Sequence, residues 1–80
     1  MLDAEDVRRA VREAISEATK ATIKDDDPLV SSGLIDSLSI LKLISSLERK
    51  LAVTIPTEKV QPDDFDTVDL IVETIQRVTA

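Results

Sequence analysis

The chain has 80 residues, with 16 acidic against 10 basic side chains, a formal charge of -6 near neutral pH, and neither cysteine nor histidine. That balance argues against a nucleic-acid module, which needs a clustered basic footprint, and against a basic helix lying on an anionic membrane. It also leaves no disulfide, no thiolate and no imidazole base, so chemistry would rest on carboxylates, lysine or a borrowed cofactor.

The opening residues Met1-Leu2-Asp3-Ala4-Glu5-Asp6 lack the basic and apolar regions of a signal peptide. No apolar run approaches the roughly 18 residues of a membrane span. There are no repeats, low-complexity tracts or linkers. A single domain over residues 1–80, cytoplasmic and without membrane partners, is expected.

Helical spacing appears first in Val7, Val11, Ala14, Ile15 and Ala18, with Asp3 as N-cap and Leu2 and Val7 in the two staple positions. This helix should fade near the β-branched Thr22-Ile23. The stretch Lys24 to Ile35 is long for a connection within a bundle, and Leu29, Val30, Leu34 and Ile35 give it apolar anchors, so it should be ordered. A second stripe runs through Ile40, Leu41, Ile44, Leu47 and Leu51, with Asp36 as N-cap and Ile35 and Ile40 as the staple. It should stop near Leu51-Ala52, before the β-branched run that ends at Pro56. One short helical turn fits between Pro56 and Asp64, starting near Glu58 or Pro62. The last stripe is Val68, Ile71, Val72, Ile75 and Val78, with Asp66 and Thr67 as capping candidates. Helices that are apolar on one face must bury those faces together, so the fold class is all-α, a small bundle.

Charge is unevenly spread. Residues 25–36 hold four acids and no base, and residues 56–80 hold six acids and two bases. Residues 37–55 hold only Glu48 against Lys42, Arg49 and Lys50. The acidic runs Asp25-Asp26-Asp27 and Asp63, Asp64, Asp66 lack the alternating oxygens, central glycine and closing glutamate of a calcium loop. They read as solvated acids at loop and helix starts, and no metal site is expected.

The informative passage is Gly33-Leu34-Ile35-Asp36-Ser37-Leu38. Glycine frees the backbone, two apolar residues pin the loop, Asp36 caps the helix, and the Ser37 hydroxyl stands where the helix dipole is positive. A phosphate ester on that hydroxyl would sit in a favourable field, and Asp36 beside it can help hold a divalent cation during phosphoryl transfer. The same pairing is also ordinary capping chemistry, so by itself it leaves both readings open.

With Pro28-Leu29 upstream and Leu41, Ile44, Leu47-Glu48, Ile55-Pro56 and Pro62-Asp63-Asp64-Phe65-Asp66-Thr67-Val68 downstream, this passage resembles discrete members of the acyl carrier protein family. The resemblance implies a four-helix bundle of three main helices and one short one. It implies 4′-phosphopantetheine on Ser37, placed there from coenzyme A by a phosphopantetheinyl transferase, with Asp36 assisting. The arm's thiol would carry an acyl or aminoacyl group between a loading ligase or transferase and downstream synthase enzymes. The chain would be a monomeric carrier and not an enzyme. Leu38, Ile40, Leu41 and Lys42 would face those partners. Ser39 and Lys42 stand where the fatty-acid type commonly places acids, which points to a dedicated pathway: a polyketide-like extender unit or a ligase-loaded amino acid. The alternative is an all-α adaptor module without a prosthetic group.

Overall fold

The computed structural model describes residues 2–20 and 22–79, and these form helices, turns and loops without a strand. Helix α1 spans Ala4–Thr19, α2 spans Ser37–Leu51 and α3 spans Val68–Thr79. Each exists because its apolar stripe has somewhere to go. Helix α1 is the common wall, packing against both α2 and α3. Its Val7, Ala10, Val11, Ala14 and Ile15 are buried among Leu43, Ile44 and Leu47 of α2 and Val68, Ile71, Val72 and Ile75 of α3.

The caps expected for the first two helices form. The Glu5 N–H donates to Asp3 Oδ1 at 2.9 Å, and the Ser39 N–H donates to Asp36 Oδ1 at 2.8 Å. Of the two candidates at α3, Thr67 does the capping: its Oγ1 accepts from the Leu70 N–H at 3.0 Å. Asp66 is turned to a different task.

Several boundaries and faces differ from expectation. Helix α1 ends at Thr19, before Thr22-Ile23, because Lys20 enters the left-handed region at φ 57°. Its last turn buries nothing, so Ala18 is exposed and Ala10 takes its place in the core. In α2 the core residue is Leu43, while Leu41 is 55% exposed. At 100° per residue Leu43 lies about 60° from Ile40 on the buried side, whereas Leu41 lies about 100° away on the other side. In the loop, Leu29 and Ile35 are fully buried and Val30 partly so, but Leu34 is 40% exposed and anchors nothing.

Two 3₁₀ turns, Thr57–Lys59 and Pro62–Phe65, replace the single short helix expected there. Val60 and Gln61 between them are extended (φ -124° and -128°), and Pro62 has no N–H with which to continue a helix from the first turn. The second turn contacts both α2 and α3, and it delivers the one aromatic side chain, Phe65, fully buried into the core.

The acids are less idle than a solvated run. Asp25 pairs with Arg8 at 2.8 Å and with Arg12, Arg8 also reaches Asp69 at 2.6 Å, and the Asp69 N–H donates to the Asp25 carbonyl at 3.2 Å. The hydrogen bond to Asp69, foremost, holds the Arg8 pKa above its ordinary value. Asp27 accepts from the Lys24 N–H at 2.8 Å, and Asp64 from the Gln61 N–H at 2.9 Å. Asp26 and Asp63 remain exposed. Among the described residues no group of acids could hold a metal ion, and no helix is long and apolar enough to cross a membrane.

Candidate functional site at the start of helix α2

Ser37 is the first residue of α2 and is exposed. Its position is set from both sides. On the helix side, Asp36 is extended (φ -101°, ψ -178°), its carbonyl accepts from the Ile40 N–H at 2.9 Å, and its carboxylate caps Ser39. Hydrogen bonds to the carboxylate, the Ser39 N–H first, lower the Asp36 pKa below the usual carboxylate value, so the group is anionic at neutral pH. On the loop side, buried Ile35 donates its N–H to the Leu29 carbonyl at 2.9 Å, closing the loop into a compact ring. Gly33, at φ +82°, makes the reversal within that ring, and its N–H reaches the Val30 carbonyl at 3.0 Å. Other residues are strained in that region.

A groove of about 230 Å³ opens beside Ser37, between α2 and the 57–65 segment, walled by Ile40, Leu41, Ile44, Val60 and Phe65. A larger concavity of about 540 Å³ is lined mostly by charged and polar residues of α1, among them Arg12, Glu13 and Glu17. It includes none of the residues next to Ser37, and size alone does not make it the site.

The residues singled out in the sequence are gathered here, with divided roles. Leu38 (64% exposed) and Leu41 point outward beside Ser37. Lys42 is exposed and makes no ion pair among the described residues. Ile40 is only 7% exposed and belongs to the groove wall and core rather than the outer face. Val60 and Phe65, which line this groove, are not singled out as site residues by the sequence. Phe65 stands out in the sequence only as the lone aromatic; nothing local marks Val60, whose groove neighbours on α2 lie 16 to 23 residues away.

A family model described as a phosphopantetheine attachment site matches residues 9–75. The chain belongs to this family of carrier proteins. It is also similar to proteins named D-alanyl carrier protein: 33% identical over 70 residues to that of Streptococcus gordonii, covering 85% of this chain and 89% of the relative. The Streptococcus mutans protein is 31% identical over 72 residues, covering 88% and 91%. The Lactobacillus delbrueckii subsp. bulgaricus protein is 25% identical over 75 residues, covering 91% and 94%.

The carrier's cofactor is thus a covalently attached 4′-phosphopantetheine. The site fits such an arm. An exposed hydroxyl stands at a helix N-terminus, where partial positive charge favours a phosphate, and an apolar groove opens directly alongside it.

Proposed function

We propose that Ser37 is the attachment point and that the chain is an aminoacyl carrier. The observation that supports this best is the Ser37 hydroxyl itself, exposed on the first residue of a 15-residue helix and bordering the apolar groove. In forming the ester, Ser37 Oγ bonds to the phosphorus of coenzyme A that bears the pantetheine, and 3′,5′-ADP leaves. The hydroxyl proton passes to a base of the transferase. Asp36 holds the helix start rigid and offers an anionic oxygen toward the divalent cation of that reaction. The attached group supplies a thiol, on which cargo is held as a thioester; the chain itself has no cysteine and performs no catalysis.

The names of the relatives support an amino acid as cargo. The size of the groove agrees: at about 230 Å³ it falls below the roughly 300–1,000 Å³ of sites that enclose drug-sized ligands. The partners are a phosphopantetheinyl transferase, a loading ligase, and the enzymes that take the cargo on. A single cytoplasmic domain, monomeric, suffices for that work.

The partner-facing surface is the outer stripe of α2. Leu38, Leu41, Lys42, Ser45 and Arg49 fall within about 60° of one line on the helix, opposite the core, and all are exposed. The stripe has two cations and no carboxylate. The nearest acid on the helix, Glu48, is turned away to accept the Ile55 N–H at 2.8 Å. The complementary partner surface has an apolar pocket flanked by acids.

The test is direct. The purified chain is incubated with coenzyme A, magnesium and a broad-specificity phosphopantetheinyl transferase, and intact masses are taken. Wild type gains one arm and Ser37→Ala gains none; an unmodified wild type, or a modified Ser37→Ala, overturns the assignment. Hydroxylamine release of cargo from protein isolated from its native cells should then yield an amino acid hydroxamate. A fatty acyl hydroxamate would refute the aminoacyl reading.

A further inference from the structure

We infer that Asp66 is a positioning residue for modification of Ser37, acting from the far end of the sequence. This rests on Ser37 being the attachment point and adds a residue that neither the family match nor the capping pattern assigns.

Asp66 precedes α3, yet its carboxylate does not cap that helix. Its Oδ1 accepts from the Val30 N–H and the Ser31 N–H, both at 2.9 Å, and the Ser31 hydroxyl lies 3.2 Å from Oδ1 and 3.1 Å from Oδ2. The Asp66 carbonyl accepts from the Leu29 N–H at 2.6 Å. One residue thus receives donors from three consecutive residues of the loop that leads into Ser37. That loop has no regular structure to satisfy those amides, and the Val30 N–H is partly buried, where an amide without a partner is costly. The anionic form is the better acceptor, and these bonds, the Ser31 N–H foremost, hold the Asp66 pKa below its usual value.

The consequence reaches Ser37 through short, stiff steps. The main-chain bond from Leu29 to the Asp66 carbonyl, which side-chain variants keep, fixes the Leu29 carbonyl that receives the Ile35 N–H at 2.9 Å. Fixing Val30 fixes the carbonyl that Gly33 N–H meets at 3.0 Å. Ile35 is buried, and Asp36 follows it directly as the cap of α2. The loop therefore cannot shift at Leu29–Ser31 without moving the segment that delivers Ser37. The α2 helix could form without this latch, because its cap is local. What the latch adds is a single placement of Leu34 and of the approach to Ser37, the surface on which a transferase must seat. Small misplacements of a reacting group are expensive, about a hundredfold in rate for about 1 Å.

The experiment measures steady-state transfer of the arm from coenzyme A, with a broad-specificity phosphopantetheinyl transferase and magnesium, for wild type, Asp66→Ala, Asp66→Asn and Ser37→Ala. Amide hydrogen exchange is followed in parallel. Asp66→Ala should lower kcat/KM about tenfold, with Val30 and Ser31 amides losing protection while Ile44 and Leu47 in the core keep theirs. Asp66→Asn retains an acceptor for the two amides and can donate to the Ser31 hydroxyl, so it should restore most of the rate. If Asp66→Ala fails to fold, Ser31→Ala, which removes only the hydroxyl donor, should show a smaller loss in the same direction. Wild-type kcat/KM in a folded Asp66→Ala, or in Ser31→Ala where Asp66→Ala is unfolded, overturns the inference. An arm on Ser37→Ala refutes the attachment site instead, so the two failures are distinct.

Discussion

Lys50 Nζ lies 3.2 Å from Glu17 Oε2, a bridge from the last turn of α2 to the last turn of α1, with Glu13 Oε2 a further 3.6 Å contact. Lys50 is therefore spent within the fold, although by sequence it counts toward the basic character of α2. The charge open to a partner comes from Lys42 and Arg49. Replacing Lys50 with Gln should lower stability by under about 1 kcal/mol, as for other solvent-screened pairs, and leave loading by the cognate ligase unchanged. Lys42→Glu should do the opposite, with an unchanged melting temperature and a loading kcat/KM several-fold lower at low salt. That deficit should shrink as ionic strength rises. Equal loading of the two variants, measured at 50 and 500 mM salt, would show that the outer stripe does not steer the encounter.

Leu29 sits in the loop but is as buried as any helix residue. Its truncation should therefore cost what a core truncation costs, about 2–5 kcal/mol for Leu29→Ala, a large part of the stability of a domain this small. Leu34→Ala, four residues before Leu38 on the exposed side, should cost under about 0.5 kcal/mol. Urea denaturation of the two variants measures the difference, and similar midpoints would mean the loop is not packed as described.

Ala52 ends α2 in the left-handed region at φ 55°, with its N–H on the Glu48 carbonyl and the Val53 N–H on the same carbonyl at 3.2 Å. An L-residue there carries about 1–2 kcal/mol of strain, which glycine relieves at an unfolded-state cost of about 0.4–1 kcal/mol. Ala52→Gly should accordingly stabilise the domain by up to about 1.5 kcal/mol, read as a rise in the urea midpoint at constant m-value. Gly33 is the reverse case: space is open around its Cβ position, but φ is +82°. Gly33→Ala should destabilise by about 1 kcal/mol through the backbone alone, checked in the same titration.

What could be read along the chain was what is local. Asp3 and Asp36 announce themselves as caps because a cap bonds within three residues, and the stripes of α1 and α3 follow from a period of 3.6. The passage around Ser37 stands out for the same reason, since glycine, anchor, cap and hydroxyl are consecutive. Leu41 and Leu43 could not be separated by spacing alone, because both fit a three- or four-residue step from other leucines and isoleucines of α2. Only the direction from which α1 approaches decides between them. Asp66 and Thr67 are both capping candidates in the sequence, since each stands just before Val68. The partners that the Asp66 carboxylate takes, Val30 and Ser31, lie 36 and 35 residues away, and no pattern within a helix turn encodes them. Between Pro56 and Asp64 the sequence suggests one turn; the structure has two, because Val60 and Gln61 are extended and Pro62 cannot continue the first.

Asp36 and Asp66 both have pKa values below the ordinary carboxylate range, and each is lowered chiefly by a backbone N–H, that of Ser39 for Asp36 and that of Ser31 for Asp66. A carboxyl with a lower pKa in the folded chain binds fewer protons there than when unfolded. Its stabilising contribution is therefore complete above the unfolded pKa, and it is lost as pH falls from that value through the folded one. Thermal melts should be nearly level from about pH 7 to pH 5 and fall steadily from about pH 4 downward. Asp66→Asn cannot titrate at that position, so the gap between wild type and variant should narrow as the pH is lowered, and Asp36→Asn should behave alike. A gap that stays constant from pH 7 to pH 3 would show that the two carboxylates do not hold these amides in solution.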